Sequence, residues 1–120
     1  MEYQPDLFRL LDLPPLPIAR ANEHGALFQE DCHWHRVCLE PGAEITIGLG
    51  RTAQGYHSGF GYSYRGAAVG GPIFTHNAYP SAAAAWSAAA QRLLGSLAVS
   101  YDRTSDKHRK ALLAFAVRNL

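Results

Sequence analysis

The sequence predicts an α+β domain: a small antiparallel sheet of about three to four strands, packed by an alanine-rich helix, with a second helix at the C-terminal end. Three observations predict it. Apolar residues alternate at period two between residues 27 and 64, with Pro41-Gly42 and Gln54-Gly55 as turns. An alanine-rich stretch from Ala82 carries Trp86, Leu93 and Leu97 at helical spacing. A second such pattern follows Ser105. At 120 residues with 48% apolar content, the chain has room for one core, so residues 1–120 are expected to form a single domain.

Asp6 to Leu13 has the pattern of a short amphipathic helix that Pro14, Pro15 and Pro17 end, within a lead-in over 1–22 that is expected to be mobile. The β-region spans 27–74. Its strands are expected at Leu27 to Glu30, His33 to Leu39, around Ile45, Ile47 and Leu49, and at Tyr56 to Tyr64, with a short edge strand from Val69 to Phe74. In the Tyr56 segment, Phe60, Tyr62 and Tyr64 share one face, and His57, Gly59, Gly61 and Ser63 share the other. A bare glycine face invites close approach by another backbone or helix. Phe60 and Tyr62 are expected in the core and Tyr64 at the surface. The helical region covers 81–120. Ser81 is placed to cap a helix over Ala82 to Leu94, with Gly95 as its stop. The last helix turns Leu112, Leu113, Ala116 and Val117 inward and Lys107, Lys110 and Arg118 outward, with Arg103, His108 and Arg109 extending the basic region.

No apolar run reaches the roughly 20 residues of a membrane span, and the first residues are acidic where a secretory leader is basic and then apolar. A soluble, cytoplasmic protein without a membrane partner is the expectation. Cys32 and Cys38, six residues apart on an extended segment, lie roughly 20 Å from each other, so two reduced thiols are expected. The net charge of +1 hides an imbalance. Residues 1–50 carry eight acids against Arg9, Arg20 and Arg36, whereas residues 91–120 carry six bases against Asp102 and Asp106. A basic end can face nucleic acid or an acidic protein, and the near-neutral total excludes a phosphate-mimicking acidic surface.

The densest chemical cluster is Cys32-His33-Trp34-His35-Arg36-Val37-Cys38-Leu39-Glu40. On a strand, His33 and His35 point the same way, as metal ligands require, while Cys32 and Cys38 point oppositely. With Glu40, the pair resembles part of the first cupin motif. That resemblance implies a divalent metal on His33, His35 and Glu40 and a small-molecule enzyme or sensor. Ser58 to Arg65 resembles the aromatic octamer of RNA-recognition-motif domains at Gly59, Phe60, Gly61 and Tyr62. Ser58, Ser63 and Arg65 depart from it, and no β-α-β unit precedes. Gly61 to Arg65 lacks the second glycine of a nucleophile elbow.

The order of the glycine-rich hairpin Tyr56 to Arg65, then Pro80-Ser81 and an alanine-rich helix ending Arg92-Leu93-Leu94, resembles small α+β proteins of phages and mobile elements, including anti-CRISPR proteins. The resemblance implies a non-enzymatic binding module without a cofactor that engages a protein, nucleoprotein or nucleic-acid partner. Arg51, Tyr64, Arg65, Arg103, Lys107, Arg109 and Lys110 are the expected contact residues. A structural or assembly subunit is the third reading, with an exposed apolar patch mediating self-association.

Overall fold

The computed structural model describes residues 16–64, 67–98 and 106–120, and the lead-in helix expected at Asp6 to Leu13 lies outside them. Four strands form one antiparallel sheet in chain order: β1 (His33–Glu40), β2 (Ala43–Thr52), β3 (Gly55–Tyr64) and β4 (Ala67–Val69). Two helices follow, α1 (Ala82–Ala98) and α2 (Asp106–Asn119). The predicted α+β class and meander are the observed ones. Pro41-Gly42 makes the β1–β2 turn, with Gly42 at φ +84°, a conformation a side chain rarely adopts.

Register decides which face each residue occupies. Ile45, Ile47 and Leu49 stand opposite Tyr62, Phe60 and Ser58 on one side and Val37, His35 and His33 on the other. This face meets the helices. Ile45, Ile47, Leu49, Tyr62, Tyr64, Trp86, Ala89, Leu93, Leu97, Leu112 and Ala116 form one continuous buried cluster. Alanines at 85 and 89, both fully buried, let α1 lie close on the sheet. Ser81 Oγ accepts the Ala84 N–H at 3.1 Å, which is the expected cap.

The opposite face carries Gly48 and Gly50 of β2 and Gly59 and Gly61 of β3. It is covered by Trp34 from β1 and by side chains of the segments that flank the sheet in sequence. Trp34, Leu27 and Ile73 make a second small core there with Ala19. A Cβ on Gly48 would stand 2.5 Å from Trp34 Cζ3, and one on Gly50 2.3 Å from Leu27 Cδ1. The bare face predicted for the Tyr56 segment therefore extends over two strands and accepts the close approach foreseen for it.

Several local expectations are corrected. Leu27 to Glu30 is not a strand: Leu27 makes only an isolated bridge with Ala21, and Gln29–Asp31 form a 3-10 turn. Asp31 ties that turn to Arg20, accepting from its Nε at 2.8 Å and its backbone N–H at 2.9 Å. The edge strand is Ala67–Val69, not Val69 to Phe74, because the chain leaves the sheet at Gly70 to seat Ile73 against Gly59. Gly95 does not stop α1, which continues to Ala98. Tyr64, expected at the surface, is 8% exposed and stacks on Tyr62. Val117, expected inward, is 61% exposed. No described helix is long and apolar enough to cross a membrane.

Candidate functional site

The described members of the expected contact set, Arg51, Tyr64, Arg109 and Lys110, do not gather into one surface. Tyr64 belongs to the core. Arg109 is only 6% exposed, and its guanidinium donates to the Leu97 carbonyl near the end of α1, so it joins the two helices from within. The expectation that Arg109 faces solvent is corrected by this burial. Arg51 is half-buried on β2, donates to the Leu16 carbonyl at 3.4 Å and lies 6.0 Å from the Tyr56 ring. Lys110 is exposed on α2. Arg65, Arg103 and the Lys107 side chain lie outside the described residues.

His33 and His35 do share a face, as alternation requires. It is the helix-covered face, and the His35 ring packs tilted against Trp86 with centroids 5.3 Å apart. Burial and then the neighbouring His35 push the His33 pKa down. Glu40 is five residues beyond His35, roughly 16 Å along a strand. Among the described residues no three His, Cys, Asp or Glu side chains come together in a way that could hold a metal ion. Cys32 and Cys38 are free thiols. Half-burial, then Asp31 and Glu30, push the Cys32 thiol up to about 11, away from the thiolate that nucleophilic chemistry needs. His57 is fully buried. Its Nδ1 lies 2.7 Å from the Asn77 carbonyl, which can only accept, so that nitrogen carries the proton. In the neutral ring Nε2 then accepts from the Thr52 hydroxyl at 2.7 Å, locking the β2–β3 hairpin to the following segment.

What the fold does build is concave surface beside β4. A trough of about 770 Å³ runs over the glycine-bearing face. Its floor is Thr46, Gly61 and Ser63, small enough to leave the space open. Trp34 and Arg36 rise on the β1 side, and Val69 to Pro72 bound the other. The Trp34 indole is held in place by donating to the Gln29 carbonyl at 3.1 Å. Glu30 and Glu44 add carboxylates opposite in sign to the exposed Arg36. A second recess of about 300 Å³ lies on the far side of the 69–72 segment, lined by Phe60, Phe74, His76, Tyr79 and Arg92.

Arg36, Arg92 and Phe74 are site residues that sequence reasoning did not single out. The signal for the trough was present in part: Gly48 and Gly50 have the same alternation in β2 that Gly59 and Gly61 have in β3. Arg92 carried no signal, because its role depends on the edge of β3 lying beside it. Compared with known protein families, curated proteins and solved structures, the chain matches none of them.

Proposed function

We propose that this chain is a non-enzymatic binding module whose partner is a protein, or the protein component of a nucleoprotein, held in the trough on the glycine-bearing face. The supporting observation is the trough itself, an open concavity that carries both signs of charge, with Arg36 among Glu30 and Glu44 around an aromatic wall at Trp34. A phosphate backbone drawn to Arg36 would be repelled by the two carboxylates, so naked nucleic acid gains little there. A protein surface offers both signs and apolar groups together, which is what the lining complements. The burial of Arg109 also removes one cation from the basic patch that a nucleic-acid interface would use.

The test is an affinity capture from lysate with and without nuclease, using the wild type and a Thr46→Trp variant whose added ring fills the trough from a half-buried floor position. A stoichiometric protein that survives nuclease and is lost with Thr46→Trp supports the reading. Recovery that vanishes with nuclease, or a partner that Thr46→Trp retains at wild-type level, overturns it.

A further inference from the structure

The recess beside Arg92 has a chemistry of its own. Between Tyr62, which pairs with Val69, and Tyr56, which pairs with Tyr79, the edge of β3 has no strand beside it among the described residues. The chain that would cover it detours: after Val69 it passes under the glycine face through Ile73 and returns at Tyr79. Tyr56 exchanges both backbone hydrogen bonds with Tyr79, at 2.9 and 2.8 Å, so by alternation Ser58 and Phe60 also turn their backbone groups to this edge. Arg92 occupies the gap. Its Nη2 donates to the Ser58 carbonyl at 3.1 Å and lies 3.2 Å from Ser58 Oγ, and its guanidinium lies 6.0 Å from the Phe60 ring.

Those contacts use one of the three guanidinium nitrogens and leave Nε and Nη1 as donors. Among the described residues no Asp or Glu lines the recess, and none of them neutralises Arg92 there. The other walls are rings: Phe60, Tyr79, and Phe74 stacked on His76 with centroids 5.4 Å apart. Phe74 is 41% exposed, a large apolar side chain kept toward solvent. A cavity of about 300 Å³ is at the small end for ligand sites, sized for one ring and its substituents rather than for a nucleotide chain.

We propose that this recess binds a small aromatic carboxylate, with the ring between Phe60 and Phe74 and the carboxylate on Arg92. Charge-assisted pairing with a guanidinium fixes the anion, and ring packing supplies the apolar part. The same chemistry is presented by a free aryl acid and by a polypeptide ending in an aromatic residue. The site does not depend on the trough having an occupant.

The experiment is a titration of the ¹⁵N-labelled chain with N-acetylphenylalanine and, separately, with N-acetylphenylalaninamide, followed by amide shifts. Saturable shifts at Phe60, Phe74 and Arg92 are expected with the acid, and binding at least about tenfold weaker with the amide, as loss of a charged hydrogen bond requires. In Arg92→Gln, at an exposed position, the acid should fall to the amide's affinity while the amide is unaffected. A tetrapeptide ending in a phenylalanine carboxylate separates the sources. Tighter binding than the single residue supports the site and assigns it to chain ends, whereas equal binding supports it and assigns it to a free acid. Acid and amide binding alike, shifts elsewhere on the molecule, or acid affinity unchanged in Arg92→Gln would each overturn the proposal.

Discussion

Gly48 is held to glycine by Trp34, whose ring edge occupies the space a Cβ would take, at 2.5 and 2.7 Å. Gly48→Ala should therefore cost about 1–3 kcal/mol by forcing the indole off its seat, as overpacked positions do. Gly71→Ala, where a Cβ meets nothing within 4 Å, serves as the control and should change stability little. Urea denaturation of the two variants checks both; equal stabilities would mean that Trp34 yields freely. The thiols divide in a similar way. Cys38 is exposed, whereas Cys32 is half-buried and pushed up to about 11, chiefly by desolvation. Iodoacetamide at pH 8 should modify Cys38 first and leave Cys32 slow, with Cys32 accelerating only as pH climbs toward 11. The sign for stability follows: the folded-state pKa is raised, so this contribution is intact below the ordinary thiol value and is lost as pH rises through the folded one. Peptide mapping after timed alkylation reads the order of reaction, and simultaneous modification would contradict it. The shared face of Phe60, Tyr62 and Tyr64 was legible at this scale, but the burial of Tyr64 was not, because it depends on stacking against Tyr62 in the helix-covered core.

The helix α1 shows why local rules carried part of the reading and failed in one place. Its inward set, Trp86, Ala89, Leu93 and Leu97, was visible as a 3.6-residue period because helix propensity and burial agree there. Gly95 lies inside the helix and does not end it. A glycine inside a helix costs about 1 kcal/mol, but ending the helix there would expose Leu97, whose full burial stabilises by about 1.5–3 kcal/mol, so packing wins. The same competition decides α2, where the inward face runs through Arg109, Leu112, Phe115 and Ala116, so that an arginine is buried and Val117 turned out. A hydrophobicity pattern cannot show an arginine placed inside by its hydrogen bond to another helix's carbonyl. Two substitutions on α1 separate packing from polar satisfaction. Leu93→Ala should cost about 2–5 kcal/mol by opening a cavity at a fully buried site. Trp86→Phe should cost less, about 1.5 kcal/mol or under, because the indole Nε1 is buried without a hydrogen-bond partner among the described residues and its loss strands no acceptor. Thermal and chemical unfolding of the pair test the ranking, and a costlier Trp86→Phe would show that contact with His35 and the helix seat needs the full indole.

At the scale of the molecule, the α+β class and strand order followed from alternation and turn residues, whereas the concave surfaces did not, because they arise where chain distant in sequence lies across the sheet. Trp34, Gly61 and Val69 to Pro72 become neighbours around one trough only through the detour after β4. Charge is visible in a linear sequence while burial is not, so the basic C-terminal region is legible there and the burial of Arg109 within it is not. The physical difference between a mixed-charge trough and a basic patch is measurable as salt dependence. Each phosphate contact releases a counterion, so an interface built on three of them weakens about 40-fold between 50 and 200 mM salt. A protein partner meeting Arg36 on one side and Glu30 and Glu44 on the other exchanges opposing ion contacts, and its affinity should change by less than about threefold over the same range. Arg36→Glu should then weaken binding by removing the one cation that lines the trough among the described residues, and Lys110→Glu, on the exposed side of α2, should leave it unchanged. Titration calorimetry with the captured partner at two salt concentrations measures the slope. A steep slope, together with loss of binding in Lys110→Glu, would return the interface to the basic helix and to phosphate as the group it recognises.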